Sequence, residues 1–150
     1  MTAQIMNTKV FSTLCVSLVT LSLSLTGCSK PSKPQASQQP TIQGRWSGFE
    51  DGSTAKVYIS FTSNQFVYTD AHSNQLGSGT YVVNKEVVPP QMDLTFEQME
   101  SPEHEGKVGL AIYELTGNRL TIAGCEPGSG QRPTNLVSTH GVRVFTLGRE

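Results

Sequence analysis

The sequence predicts an all-β domain: a small eight-stranded antiparallel up-and-down barrel, placed after an export leader and a tether. Three observations predict it. Eight short runs of alternating apolar and polar residues follow one another after Ile42, each bounded by turn residues. Almost no stretch of this region carries a helical period. The connections are mostly short, so each strand's natural partner is its neighbour in sequence, and closing such a meander removes its exposed edges.

Lys9 is the only positive charge ahead of an apolar, uncharged run at residues 10–26. That run is shorter than the ~20 residues a membrane-spanning helix needs, and a small-residue site follows it, so residues 1–27 read as a cleaved signal peptide. Either Met1 or Met6 could be its start. Residues 28–41 carry Pro, Ser, Lys and Gln with a single Ala and no larger apolar side chain before Thr41. Such a segment cannot bury enough surface to fold and reads as a flexible tether. The globular unit is then residues 42–150, about 109 residues, enough for one small core.

Within it, the first strand is expected at residues 43–49, ended by Glu50-Asp51-Gly52-Ser53. The second spans 55–62, with Val57, Ile59 and Phe61 on one face, and the third spans 65–69. The fourth spans 77–84 and is followed by a linker at 85–90, which Pro89-Pro90 keeps out of a sheet. The fifth spans 91–96, and an acidic loop at 97–106 follows. The sixth, 107–115, and the seventh, 119–125, flank the hairpin turn Thr116-Gly117-Asn118. A long loop at 126–141, with a short helix expected around 134–138, leads to the eighth strand, 142–149. An eight-stranded barrel is just wide enough to be packed with side chains or to hold one small ligand.

Two local patterns resemble known ones. Leu25-Thr26-Gly27-Cys28 resembles a lipobox. The resemblance implies a bacterial lipoprotein whose mature chain begins at a diacylglyceryl-modified Cys28, anchored to a membrane in the cell envelope. Ser29 in place of Asp implies outer-membrane sorting, on the periplasmic face, in a Gram-negative cell. Two acyl chains would make that anchoring stable. Gly44-Arg45-Trp46 resembles the Gly-x-Trp motif of lipocalins, which implies that Trp46 closes one barrel end under an Arg from the last strand. Arg149 is the first candidate and Arg143 the second, because both alternate onto one face with Phe145 and Leu147.

The C-terminal half is more specific. Asp93-Leu94-Thr95, Gly106-Lys107, Gly109-Leu110-Ala111-Ile112-Tyr113-Glu114-Leu115, Leu120-Thr121-Ile122, Cys125, Arg132-Pro133 and Arg149 follow in that order. The order resembles a planctomycete-type uncharacterised lipocalin-like domain family. The resemblance covers residues 44–150 and is strongest from Met92 onward. Gly124 departs from the pattern, standing where the family carries an apolar residue, and the second and third strands match by alternation alone. The family has no established activity, so the resemblance implies a fold rather than a reaction.

Composition narrows the function classes. Lys9 leaves with the leader, so 10 of the 11 Lys+Arg remain against 12 Asp+Glu, a net charge of about −2. That is not a nucleic-acid-binding balance. Cys15 leaves as well and Cys28 is acylated, so Cys125 is left as a lone thiol and no internal disulfide forms.

Several residues carry two readings. Asp93, Glu97, Glu100, Glu103, His104 and Glu105 could bind a metal, but their spacing is not diagnostic, and a solvated acidic loop accounts for them. Cys125 could be a nucleophile with His72, His104 or His140 as base, or a small buried hydrophobe, which is the commoner fate of a free Cys. Arg132 could offer an anion site in its Gly-rich loop or tie that loop to the barrel. Tyr58, Tyr68, Tyr81 and Tyr113 could line a cavity or face solvent. The expected function is non-enzymatic. A monomer tethered through Cys28, with no cofactor and no catalytic residue, binds a small apolar or amphipathic ligand, or a partner, at the cell envelope, with Arg132, Tyr58, Tyr81, Tyr113 and Cys125 as candidate contacts. The alternative is a packed barrel that serves as a structural or protein-interaction module, and an enzyme built on Cys125 ranks third.

Overall fold

The computed structural model describes residues 41–150; the leader, Cys28 and the tether up to Pro40 lie outside the described residues. Eight strands form: β1 (Gly44–Glu50), β2 (Lys56–Thr62), β3 (Gln65–Asp70), β4 (Gln75–Asn84), β5 (Gln91–Met99), β6 (Val108–Thr116), β7 (Arg119–Cys125) and β8 (Val142–Arg149). Each pairs antiparallel with the next, and β8 returns to β1 with Trp46 opposite Arg149 and Glu50 opposite Phe145, which closes the barrel. The all-β, up-and-down architecture expected from the alternation is the one observed.

Alternation places the core. Trp46, Ile59, Phe61, Phe66, Tyr81, Met92, Ala111, Tyr113, Leu120, Ile122 and Leu147 point inward and are buried together. A second, smaller cluster lies outside the barrel, where Leu136 and Val142 pack on Ile112, Ala123 and Val144. The loop after β7 therefore covers part of β6–β8. That double covering explains why Ala111, Ile112 and Tyr113 are consecutive and all buried, since a strand covered on both faces needs no polar alternation.

Three expectations are corrected. The short helix around residues 134–138 does not form. The Asn135 side chain accepts the Val137 N–H at 3.2 Å, a local turn that competes with helix, while Leu136 is drawn onto the barrel wall. The only helical piece among the described residues is a 3₁₀ turn at Pro102–His104, inside the acidic loop. Strand β5 runs on to Met99 and β4 starts at Gln75, because Gly77 and Ser78 pair with Met99 and Gln98 across a bulge. Acidic and polar side chains there cost nothing on a solvated face.

Two glycines let the sheet bend enough to close. A Cβ on Gly48 would overlap the Thr146 carbonyl of β8, and one on Gly79, beside the bulge, would overlap the Thr95 carbonyl of β5. Gly148, in the same β1–β8 pair, has only the Ser47 carbonyl at 4.0 Å from such a Cβ. Gly48→Ala and Gly79→Ala should each destabilise the fold by about 3 kcal/mol or more, because backbone rather than a movable side chain must give way. Gly148→Ala should cost less than about 1 kcal/mol. Urea titration of the three variants checks the ordering.

Candidate functional site

The two ends of the barrel differ. At one end the segment Thr41-Ile42-Gln43 crosses the opening as a strap. Ile42 inserts into the core, and its carbonyl accepts the Trp46 indole N–H at 2.7 Å. Arg149 lies over the Trp46 ring at 4.2 Å and donates to the carbonyls of Gln43 (2.7 Å) and Thr41. Gly44 sits at φ +117°, and a Cβ there would press on the Arg149 guanidinium at 2.9 Å. The Tyr81 hydroxyl donates to Ser63 at 2.9 Å and meets the Gln43 amide, so Tyr81 also belongs to this seal. Burial raises the Tyr81 and Tyr113 phenol pKa values above the ordinary one.

The other end is not sealed in this way. Beneath it lies an apolar cavity of about 110 Å³, walled by Ile59, Phe66, Tyr68, Phe96, Phe145 and Cys125 among others. Its volume arises from small side chains: Ala111 faces Gly124 across β6–β7, and Gly109 lies two residues along the same inner face. At the rim, Arg143 forms a two-pronged pair with Glu50, Nε to Oε1 at 2.6 Å and Nη2 to Oε2 at 2.5 Å. The guanidinium also lies 5.3 Å over the Phe145 ring, and that ring meets Tyr68 edge-on at 5.9 Å. The Arg143 hydrogen bonds hold the Glu50 carboxyl below its ordinary pKa, opposed by partial burial. Burial raises the Tyr68 phenol pKa, and nearby Arg143 opposes that shift.

No family model, curated protein or solved structure matches this chain.

The structure therefore separates the residues the sequence singled out. Trp46, Gly44 and Arg149 meet at the sealed end. Arg143 does not join them: it faces the same interior but sits at the opposite rim, three positions before Thr146 in the direction of the mouth, held by Glu50. Tyr81 and Tyr113 point inward yet lie among buried core residues away from the cavity wall, and Tyr58 faces outward between Arg45 (4.7 Å) and Lys56 (5.1 Å). Cys125 does line the cavity, and among the described residues no His lines it. Arg132 is occupied within the fold, donating to the Ala111 carbonyl at 2.7 Å, to the Met92 carbonyl at 3.3 Å and to Asp93 at 2.5 Å, so it ties the loop after β7 to the outside of β5–β6. His104 stands 3.9 Å from Glu103 and 3.8 Å from Glu126, and no group of three or more His, Cys, Asp or Glu among the described residues is arranged to hold a metal ion.

Of the four tyrosines that the sequence offered as cavity residues, Tyr68 lines the cavity. Sequence reading missed Phe145 as a cavity wall, though the inward alternation of β8 was available for it, and missed Glu50 as the partner of Arg143. That partnership depends on the β1–β8 closure register, which no local pattern encodes.

Arg149→Ala should lower stability by about 2 kcal/mol in urea, because the stack on Trp46 is lost and two carbonyls lose a charged donor. Faster amide exchange at Ile42 and Gln43 should accompany it. The Glu50–Arg143 pair makes a pH-dependent contribution. The Glu50 folded-state pKa lies below its ordinary 4.5, so the stabilisation is present above that value and is lost as pH falls through the lower, folded one. The Tm advantage of the native chain over Glu50→Gln should accordingly be present at pH 7 and vanish in acid.

Proposed function

We propose that this chain is a membrane-anchored binding protein: a lipid-modified Cys28 holds a lipocalin-like barrel that takes up a small apolar or amphipathic molecule. The observation that carries the binding half is the apolar cavity beneath the unsealed end. Protein interiors are close-packed, so a cavity of about 110 Å³ in an otherwise packed small barrel is an available ligand volume. The leader and the Leu25-Thr26-Gly27-Cys28 pattern support the anchoring half, and the Gly44-Trp46-Arg149 arrangement supports the lipocalin-like reading.

The cavity can be filled without disturbing the wall. A Cβ on Gly124 would meet only the Ala111 methyl, at an ordinary 3.6 Å. Gly124→Leu should keep stability within about 1 kcal/mol of the native chain, since it adds apolar contact in empty space. It should also weaken binding of a small apolar probe such as benzene at least tenfold, read by NMR titration. Undiminished binding to Gly124→Leu would place the site elsewhere. For the anchor, incorporation of labelled palmitate should disappear in Cys28→Ala; persistence would rule out that anchoring site.

A further inference from the structure

The rim of the cavity has a chemical polarity that narrows the ligand. Three polar side chains stand there: Tyr68 on β3, Glu50 on β1 and Arg143 on β8. Both Glu50 oxygens are engaged by the Arg143 fork, through Nε and Nη2. The third guanidinium nitrogen, Nη1, remains on the side of the fork away from Glu50 and carries two N–H donors. The Tyr68 hydroxyl lies beside Arg143, within reach of the charges of Glu50 and Glu100. The rim therefore offers the Tyr68 and Arg143 donors; of the two carboxylates that act on Tyr68, Glu50 is paired with Arg143 and Glu100 is exposed to solvent.

Below the rim the walls are hydrocarbon: Ile59, Phe66, Phe96 and Phe145, floored by the small residues Ala111 and Gly124. A volume of about 110 Å³ holds roughly four groups of the size of a water or a methylene, at ~30 Å³ each. A longer chain would have to emerge past Arg143 and Phe145 into solvent.

Resting on the cavity as the binding site, we propose that its ligand is a short-chain molecule whose apolar end, about four carbons, fills the cavity. Its head presents an oxygen acceptor, a carbonyl or carboxylate, to the Tyr68 hydroxyl and the free edge of Arg143. A cationic head is disfavoured, because it would face the Arg143 guanidinium while Glu50 is held in its pair, and a neutral donor head meets the phenol oxygen of Tyr68, which already lies against Arg143.

Titration of the 41–150 barrel within the full chain, by NMR or calorimetry, tests this with benzene, butanoate, hexanoate, decanoate, methyl hexanoate and hexylamine. Affinity should rise about fourfold per methylene from butanoate to hexanoate, the increment of burying one CH₂, and then flatten toward decanoate. Hexylamine should bind at least tenfold more weakly than hexanoate or its methyl ester. Hexanoate binding above the ester would mark recognition of charge by Arg143, and equal binding would mark recognition of the carbonyl by Tyr68; either supports the acceptor head. Tyr68→Phe keeps the ring on Phe145 and removes the donor, so it should weaken hexanoate and the ester about tenfold and leave benzene unchanged. Hexylamine binding as tightly as hexanoate, or a Tyr68→Phe loss equal for benzene and hexanoate, overturns the head-group assignment while leaving the cavity as a site. Affinity that keeps rising fourfold per methylene to decanoate overturns the size limit. Failure of every probe, benzene included, overturns the binding reading itself.

Discussion

The stack of Arg149 on Trp46 is the contact on which the rest of this barrel depends. It joins the last strand to the first at the point of closure, where Trp46 is paired with Arg149 in register. The same guanidinium fastens the strap by two backbone carbonyls, and the indole N–H fastens it by a third. A buried indole N–H and a half-buried guanidinium both need partners, and the strap carbonyls, which have no sheet neighbour, need donors. One small constellation satisfies all of them. With that end sealed and filled by Trp46, Ile42, Phe61 and Tyr81, any internal space has to lie toward the other end.

Why space exists there at all follows from residue sizes along β6 and β7. Near the strap these strands place Tyr113, Leu115 and Leu120 inward; near the mouth they place Gly109, Ala111 and Gly124 inward. The interior therefore tapers from large to small side chains along one wall, and the aromatic residues opposite do not reach far enough to fill the difference. Phe96 already leans close to Gly109, where a Cβ would stand 2.9 Å from its ring. The glycines of this barrel have two separate uses: Gly48 and Gly79 permit curvature against neighbouring backbone, while Gly109 and Gly124 leave volume.

Much of the fold was legible in the sequence, because period-two alternation fixes both strand identity and inward face. Ile59, Phe61, Met92 and Leu147 could be assigned to the core without any pairing information. Strand ends were less legible: β5 extends through Glu97 and Gln98 because β4 offers a partner, and partner availability is a tertiary fact. The site was read least well. Arg143 and Arg149 lie six residues apart on one face of one strand, so alternation makes them equivalent, and only the position of the closure distinguishes the sealing Arg from the rim Arg. Tyr68 and Tyr81 raise the same difficulty: both point inward, and distance along the barrel axis decides which lines the cavity. Arg132, by contrast, followed from chemistry alone, since a guanidinium before a proline in a long loop needs fixed acceptors and finds them in Ala111 and Asp93.

The strap has a geometric corollary. Thr41 lies across the sealed end, and Glu150 reaches the same end, its N–H bonded to the Arg45 carbonyl and its carboxylate 3.2 Å from the Arg45 guanidinium. Both ends of the folded unit thus leave from the face opposite the mouth. A surface, a reporter or a neighbouring domain joined through either terminus attaches behind the cup and leaves its opening unobstructed. Tension applied upstream of Thr41 would be borne first by the carbonyls that Arg149 and Trp46 hold, so a pull on the attachment acts on the floor of the barrel before it reaches any strand pairing.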